Sequence, residues 1–334
     1  MIWNNIELFN VSSVETRLDG ALNFYRFPAE ARAAFVHSAS PYAMSVGTIT
    51  TGCEIRFVGK AADIFVSPEQ YDGFVEIYRG DFFCRVERLQ IGVVKLLELR
   101  DTDMLTAYRP NYQGRFSPDV WRVVFCHDFC GTLHGIRPYG EIRPPRADEV
   151  PNKKILAYGS SITNSACSFL YTNSYVYNMG RLLDADVLCK GMGGSCHLEK
   201  EVADYIAQED WDIATLELGI NMVESHPVAE FEKRASYLVE KIAKTGKPVV
   251  LISNFTCYHN LPECKHHQAS VDYVRCLEEI YNKLRCENLY YIRGEEMIKS
   301  WDYLTCDLIH PSPYGHGEMA KNIAKKLREE FKII

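Results

Sequence analysis

The chain has 334 residues, 47% of them hydrophobic, and a formal charge of −7. That length suits about two domains, and that apolar content is ample for buried cores. An acidic chain without clustered Lys and Arg excludes a nucleic-acid surface, and no run approaches the roughly 18 apolar residues of a membrane span. The opening Met1-Ile2-Trp3-Asn4-Asn5-Ile6-Glu7 lacks a basic stretch followed by an apolar one, so a cytoplasmic location is expected. Twelve cysteines are scattered, many inside apolar runs such as Phe82-Phe83-Cys84 and Val124-Phe125-Cys126. That spread suits reduced, buried thiols better than a disulfide framework.

Residues 1 to about 150 read as β-structure. Cys53-Glu54-Ile55-Arg56-Phe57 and Val75-Glu76-Ile77-Tyr78-Arg79 alternate apolar with polar residues, the period of half-buried strands. Ala62 to Val66, Leu89 to Leu99 and Trp121 to Cys126 are further strand candidates. Turn residues separate them at Gly59-Lys60, Ser67-Pro68, Arg79-Gly80-Asp81 and Ser117-Pro118-Asp119. No helical stripe of convincing length occurs in this half. Many short strands between such turns predict a two-sheet β-sandwich of the jelly-roll kind. Tyr71, Phe74 and Tyr112 are candidates for stacking on sugar rings if exposed, and otherwise for core or interface positions. Residues 137–152 carry four prolines and six charges, a composition that does not hold a regular element. The expected division is therefore 1–145 and 146–334.

Beyond it the periodicity changes. Strand candidates at 153–158, 186–190, 212–218, 247–252 and 288–292 alternate with helix-like stretches at about 174–184, 197–208, 228–244, 267–286 and 313–331. Phe231, Ala235, Leu238 and Ile242 share one helical face. Strict alternation predicts an α/β unit with a doubly wound parallel sheet of five strands, in flavodoxin-like order.

Lys153 to Thr163 reads as an apolar strand entering a small-residue turn, Gly159-Ser160-Ser161. Such a turn stands at the carboxyl edge of the sheet, where open α/β sheets bind ligands, and makes Ser161 the candidate nucleophile. A serine hydroxyl needs a base and a group to orient that base. Asp307-Leu308-Ile309-His310-Pro311 supplies both, with a carboxylate three residues before an imidazole. Two intervening blocks, Gly191-Met192-Gly193-Gly194-Ser195-Cys196 and Gly219-Ile220-Asn221-Met222, each follow a strand candidate. A glycine N–H, the Asn221 amide and the N–H of Ser161 together make a three-donor oxyanion hole.

Four blocks in this order resemble the SGNH hydrolases, also called the GDSL esterase family. The resemblance covers about residues 151–334 and places the family's Ser, Gly, Asn and His on Ser161, Gly194, Asn221 and His310, with Asp307 as its aspartate. Gly191 and Gly193 compete with Gly194 for the glycine's place. The chain departs from the family pattern at Ser160, Cys189 and Met222, where Asp, Asn and Asp are usual. A β-sandwich followed by such a domain looks like certain carbohydrate esterases that remove O-acetyl groups from plant-type oligosaccharides. The resemblance thus implies a sugar O-acetylesterase working through an acyl-enzyme, without metal or other cofactor. Its expected partner is a small-molecule or oligosaccharide ester, and assembly into a homo-oligomer is compatible with the sequence.

Rival readings follow from the same residues. The acyl group is passed to an alcohol instead of water, or the chain is a carbohydrate-binding module with a silent site. Cys167 and Cys196 are the rival thiol nucleophiles. Cys257-Tyr258-His259-Asn260-Leu261-Pro262-Glu263-Cys264-Lys265-His266-His267 gathers thiols and imidazoles, as a zinc site or as a loop lining the pocket.

Overall fold

The computed structural model describes residues 1–126 and 128–334. Three short helices interrupt the β-rich half: α1 (Ala29–Ala34), α2 (Ala43–Val46) and α3 (Asp103–Tyr108). Each is under two turns long, too short to leave a periodic stripe in the sequence. The chain divides into two compact units whose limits differ from the expected single cut at 145/146. The first comprises residues 1–27, 48–152 and 184–186, and the second comprises 28–47, 153–183 and 187–334.

The first unit is a sandwich of two antiparallel sheets. Its strands are β1 (Ile2–Trp3), β2 (Ile6–Phe9), β3 (Ser13–Thr16), β4 (Leu22–Tyr25), β5 (Glu54–Val58), β6 (Ala61–Glu69), β7 (Gly73–Arg79), β8 (Phe82–Leu89), β9 (Lys95–Arg100), β10 (Val120–Phe125) and β11 (Cys130–Pro138). One sheet runs β1-β2-β5-β10-β7-β8 and the other β3-β4-β11-β6-β9. Their inner faces meet where Phe24 and Phe125 pack edge to face, 5.0 Å between ring centres. The single strand expected over 89–99 is two strands, since β8 ends at Leu89 in one sheet and β9 begins at Lys95 in the other. Gly92 turns the connection with φ +78°, a conformation that glycine adopts without the clash a Cβ brings. A charged cluster sits inside this unit, where buried Glu54 accepts from Arg122 at 2.7 Å and from Arg56 at 2.9 Å. The pairing offsets the desolvation that each isolated charge incurs.

The second unit carries a parallel sheet of β12 (Lys153–Gly159), β13 (Ala185–Gly191), β14 (Ile213–Glu217), β15 (Val249–Ile252) and β16 (Leu289–Ile292), in the order β13-β12-β14-β15-β16. This is the expected flavodoxin-like order 2-1-3-4-5. Helices α4 (Tyr175–Leu182), α5 (Lys200–Ile206), α6 (Val228–Ala243), α7 (His267–Leu284) and α8 (Pro313–Lys325) alternate with the strands. All residues of β13, β14 and β15 are buried, as strands covered on both faces require. On α6 the predicted face, Phe231, Ala235, Leu238 and Ile242, is the buried one. The carboxyl ends of β12, β13 and β14 deliver residues 160–161, 192–194 and 218–221 to one edge.

Candidate active site

The turn after β12 is shaped from below. A Cβ on Gly159 would lie 2.5 Å from Glu217 Oε2, so only glycine fits beside that carboxyl. Glu217, the last residue of β14, is buried and accepts from the Ser160 N–H at 2.7 Å and from the Thr163 hydroxyl at 3.1 Å. Thr163 Oγ1 also lies 2.7 Å from the Tyr175 hydroxyl of α4. These bonds hold the backbone on both sides of Ser161. Ser160, in place of the family's usual aspartate, is buried, and its hydroxyl accepts from the Ile162 N–H at 3.2 Å.

At the other end of the chain, the loop before α8 folds on Asp307. Its Oδ1 accepts from the Thr305 hydroxyl at 2.7 Å and from the N–H groups of Ile309 and His310 at 2.8 and 3.0 Å. Its Oδ2 lies 2.7 Å from His310 Nδ1, and His310 Nε2 lies 2.8 Å from Ser161 Oγ. Burial pushes the Asp307 carboxyl up, but the bonds from His310, from the two N–H groups and from Thr305 outweigh it and hold the carboxyl well below the usual range. Asp307 is thus ionised, and its charge fixes the Nδ1–H tautomer that leaves Nε2 free to accept a proton. The second histidine of this stretch, His316, is fully buried and takes no part in that row. It accepts from the Tyr175 N–H at 3.2 Å and bonds the Ala166 carbonyl at 2.9 Å.

Asn221 accepts from the Cys196 N–H through Oδ1 at 3.1 Å, which leaves its Nδ2 donors for another acceptor. Neither the Ser161 N–H nor the Gly194 N–H donates to another described residue. Among the three glycines of the second block, Gly191 is excluded as a donor to the cavity. It is buried, and a Cβ there would stand 2.3 Å from the Asn164 nitrogen, so it serves close packing of two backbones. Gly193 and Gly194 both line the cavity, Gly193 nearer to Ser161 (a Cβ there would stand 3.7 Å from Ser161 Cβ) and Gly194 with φ +63°.

That cavity has a volume of about 540 Å³. Ser161, Asn221 and His310 line it beside Tyr42, Glu224 and His259. His259 is buried and lies 2.9 Å from Glu224 Oε1 through Nε2, so the Cys257–His267 segment contributes to the pocket wall. Among the described residues, that segment does not bring three metal-ligating groups together, whereas Cys167, Asp307 and His310 do come together. Cys196 is fully buried, which pushes its thiol well above the ordinary value and removes it as a nucleophile at neutral pH. Of the other departures from the family pattern, Met222 is a buried packing residue, and Cys189 is buried with its thiol donating to the Thr163 carbonyl at 3.4 Å.

Two contributors were invisible in sequence reasoning. Glu217 stands alone as a charge in the apolar run Ile213-Ala214-Thr215-Leu216, a signal that something polar must face it. Residues 28–47 lie far upstream, yet Ser40 donates to the Gly194 carbonyl at 2.9 Å and lies 2.8 Å from the Ser195 hydroxyl. No local pattern announced that contact.

A hydroxyl, an imidazole and a carboxylate are bonded in series at the carboxyl edge of a 2-1-3-4-5 parallel sheet, the place where open α/β sheets bind ligands. The family follows from the sequence match: residues 152–328 fit the GDSL-like lipase/acylhydrolase family, and the chain belongs to it, a group of carboxylic ester hydrolases. No curated protein matches the chain. Among solved structures, it is similar to the salicylyl-acyltransferase SsfX3 of a tetracycline biosynthetic pathway, with 13% identity, a TM-score of 0.79, and 96% of this chain and 93% of the other covered. It is also similar to a GDSL-like lipase from Bacteroides ovatus, with 18% identity, TM-score 0.70, and 99% and 97% covered. A family two carbohydrate esterase from Cellvibrio japonicus matches with 13% identity, TM-score 0.67, and 98% and 96% covered. All three likenesses extend over nearly the whole chain, and so include the sandwich.

Proposed function

We propose that this protein is a serine esterase that removes O-acetyl or other short acyl groups from carbohydrates, with Ser161 as nucleophile, His310 as base and Asp307 as the group that orients it. The observation that carries the reading is the row of two short hydrogen bonds, 2.8 Å from Ser161 to His310 and 2.7 Å from His310 to Asp307. Ser161 Oγ attacks the ester carbonyl as Nε2 takes its proton, and the imidazolium returns that proton to the leaving sugar oxygen. Water, deprotonated by the same nitrogen, then releases the acyl group. The oxyanion is met by the N–H of Ser161, the N–H of Gly194 and Nδ2 of Asn221, each donor contributing about 2.7–4 kcal/mol to transition-state stability. A pocket walled by Tyr42, Glu224 and His259 offers hydroxyl-bonding groups around the ester, which supports a polar alcohol component. The whole-length likeness to a carbohydrate esterase supports sugar as that component. The likeness to an acyltransferase supports a second reading, in which the acyl-enzyme delivers its group to an alcohol.

A fluorophosphonate probe is expected to label the protein at Ser161, and Ser161→Ala is expected to lose both the label and about 10⁶-fold in kcat on nitrophenyl acetate. Acetylated manno- and xylo-oligosaccharides are expected to release acetate. Retention of most turnover by Ser161→Ala would sink the assignment, and silence on both oligosaccharides would remove the sugar. An added alcohol that captures the acyl group in preference to water would select transfer over hydrolysis.

A further inference from the structure

Cys167 lies on the loop after Ser161 and is exposed, unlike most of the cysteines here. It stands next to the loop that carries Asp307 and His310, whose side chains are 43% and 23% exposed. One ligating atom from each of the three residues can be chosen so that all lie within 4.8 Å of one another. A thiol, an imidazole and a carboxylate are the donors that zinc and cadmium prefer, and three protein ligands leave a fourth position for water. Bonds of about 2.0–2.3 Å place tetrahedral ligands roughly 3.3–3.7 Å apart. Small side-chain rotations at an exposed rim therefore suffice to close the present spacing onto a cation.

We propose that Cys167, Asp307 and His310 form a binding site for a soft divalent cation, zinc or cadmium, that reversibly silences the esterase. Binding releases the Cys167 thiol proton to solvent and forms a metal–sulfur bond. The carboxylate of Asp307 binds through an oxygen lone pair. His310 binds through one ring nitrogen, and each nitrogen has a consequence. At Nε2 the cation occupies the lone pair that takes the Ser161 proton. At Nδ1 it takes the place of the proton that now bridges to Asp307, and the ring keeps that proton on Nε2 instead, where it uses the lone pair that faced Ser161. Either way the imidazole no longer accepts from Ser161, and turnover stops without damage to the fold. Because at least one proton is released, binding tightens as pH rises. The inhibitory consequence rests on the esterase reading, whereas the site itself does not.

The test separates the two. Cadmium is titrated into the Ser161→Ala protein, and into Ser161→Ala carrying Cys167→Ser, while the ultraviolet thiolate-to-metal absorption is followed. A stoichiometric band that disappears with Cys167→Ser is expected; equal bands in the two proteins overturn the site. In parallel, zinc inhibition of nitrophenyl acetate turnover is measured for the native protein and for Cys167→Ser, each against its own metal-free rate and with reversal by a chelator. Cys167→Ser is expected to raise the half-inhibitory zinc concentration about tenfold or more. An unchanged value overturns the inhibitory role, and a Ser161→Ala protein that still cleaves ester while showing the cadmium band overturns only the esterase reading.

Discussion

At Glu217 the fold sets a carboxyl where ionisation is unfavourable. Burial pushes it from its ordinary value up to about 7, against the lowering effect of the bonds from Ser160 and Thr163. The groups that face it, Tyr175, Cys196 and Cys257, have titrations raised by burial and are neutral near pH 7, and among the described residues no cation offsets the charge. A carboxyl whose folded value lies above its unfolded one binds protons more tightly in the fold. Its contribution to stability is present in full below pH 4.5 and is lost as pH rises through about 7. The difference corresponds to roughly 3 kcal/mol between the two limits. Glu217→Gln keeps an acceptor for the Ser160 N–H and has no ionisation. Urea unfolding at pH 5 and pH 8 is expected to show the native protein losing stability relative to this variant at the higher pH; parallel changes in the two would refute the assignment. Such a role was not legible in the sequence, because Glu217 acts through a backbone N–H that only the pairing of β12 with β14 brings to it. Ser161 and Asn221 stood out as candidates because each follows an apolar strand candidate and a glycine, His310 because it precedes Pro311, and Asp307 only through its spacing of three residues from His310.

The helices act on the site at one remove. Phe231 of α6 and Tyr273 of α7 stack face to face, 4.0 Å between ring centres, and both are buried. The Tyr273 hydroxyl then donates to the Met222 carbonyl at 3.1 Å and the His226 carbonyl at 2.8 Å. The loop that starts at Asn221 is thereby pinned to α7. Removing the hydroxyl with Tyr273→Phe is expected to cost about 1 kcal/mol, because its one proton is shared between the two carbonyls, with kcat falling more than KM rises as Asn221 loses its setting. Phe231→Ala is expected to cost about 3–5 kcal/mol, because a large aromatic is deleted from a filled interior. Chemical denaturation measures both, and a Phe231→Ala loss under 1 kcal/mol would mean that the stack relaxes without a cavity. The α6 face was readable from its 3.6-residue period. The break between β8 and β9 was not, since alternation continues into Leu89 and resumes at Lys95 with only Gly92 between them to mark the turn.

On the scale of the whole chain, the informative feature is that the second unit is assembled from three separated lengths of sequence, the first being residues 28–47. A cut at the proline-rich stretch 137–152 is what composition suggests, and it is insufficient, because a contact 154 residues long from Ser40 to Gly194 leaves no trace in local pattern. A fragment of residues 146–334 lacks α1, α2, Ser40 and Tyr42. It is expected to lose cooperative unfolding and at least about tenfold in kcat/KM against the full chain, read by calorimetry and nitrophenyl acetate turnover; full activity in the fragment would show that residues 28–47 are dispensable.

The same long-range wiring sets when activity can begin. Ser161 meets His310 across 149 positions, and β12, which ends at Gly159 just before that serine, is made well before the imidazole. Synthesis runs from the amino terminus, and non-local pairing forms late. A growing chain on the ribosome therefore carries Ser161 without its imidazole partner until His310 has been made and has left the ribosome.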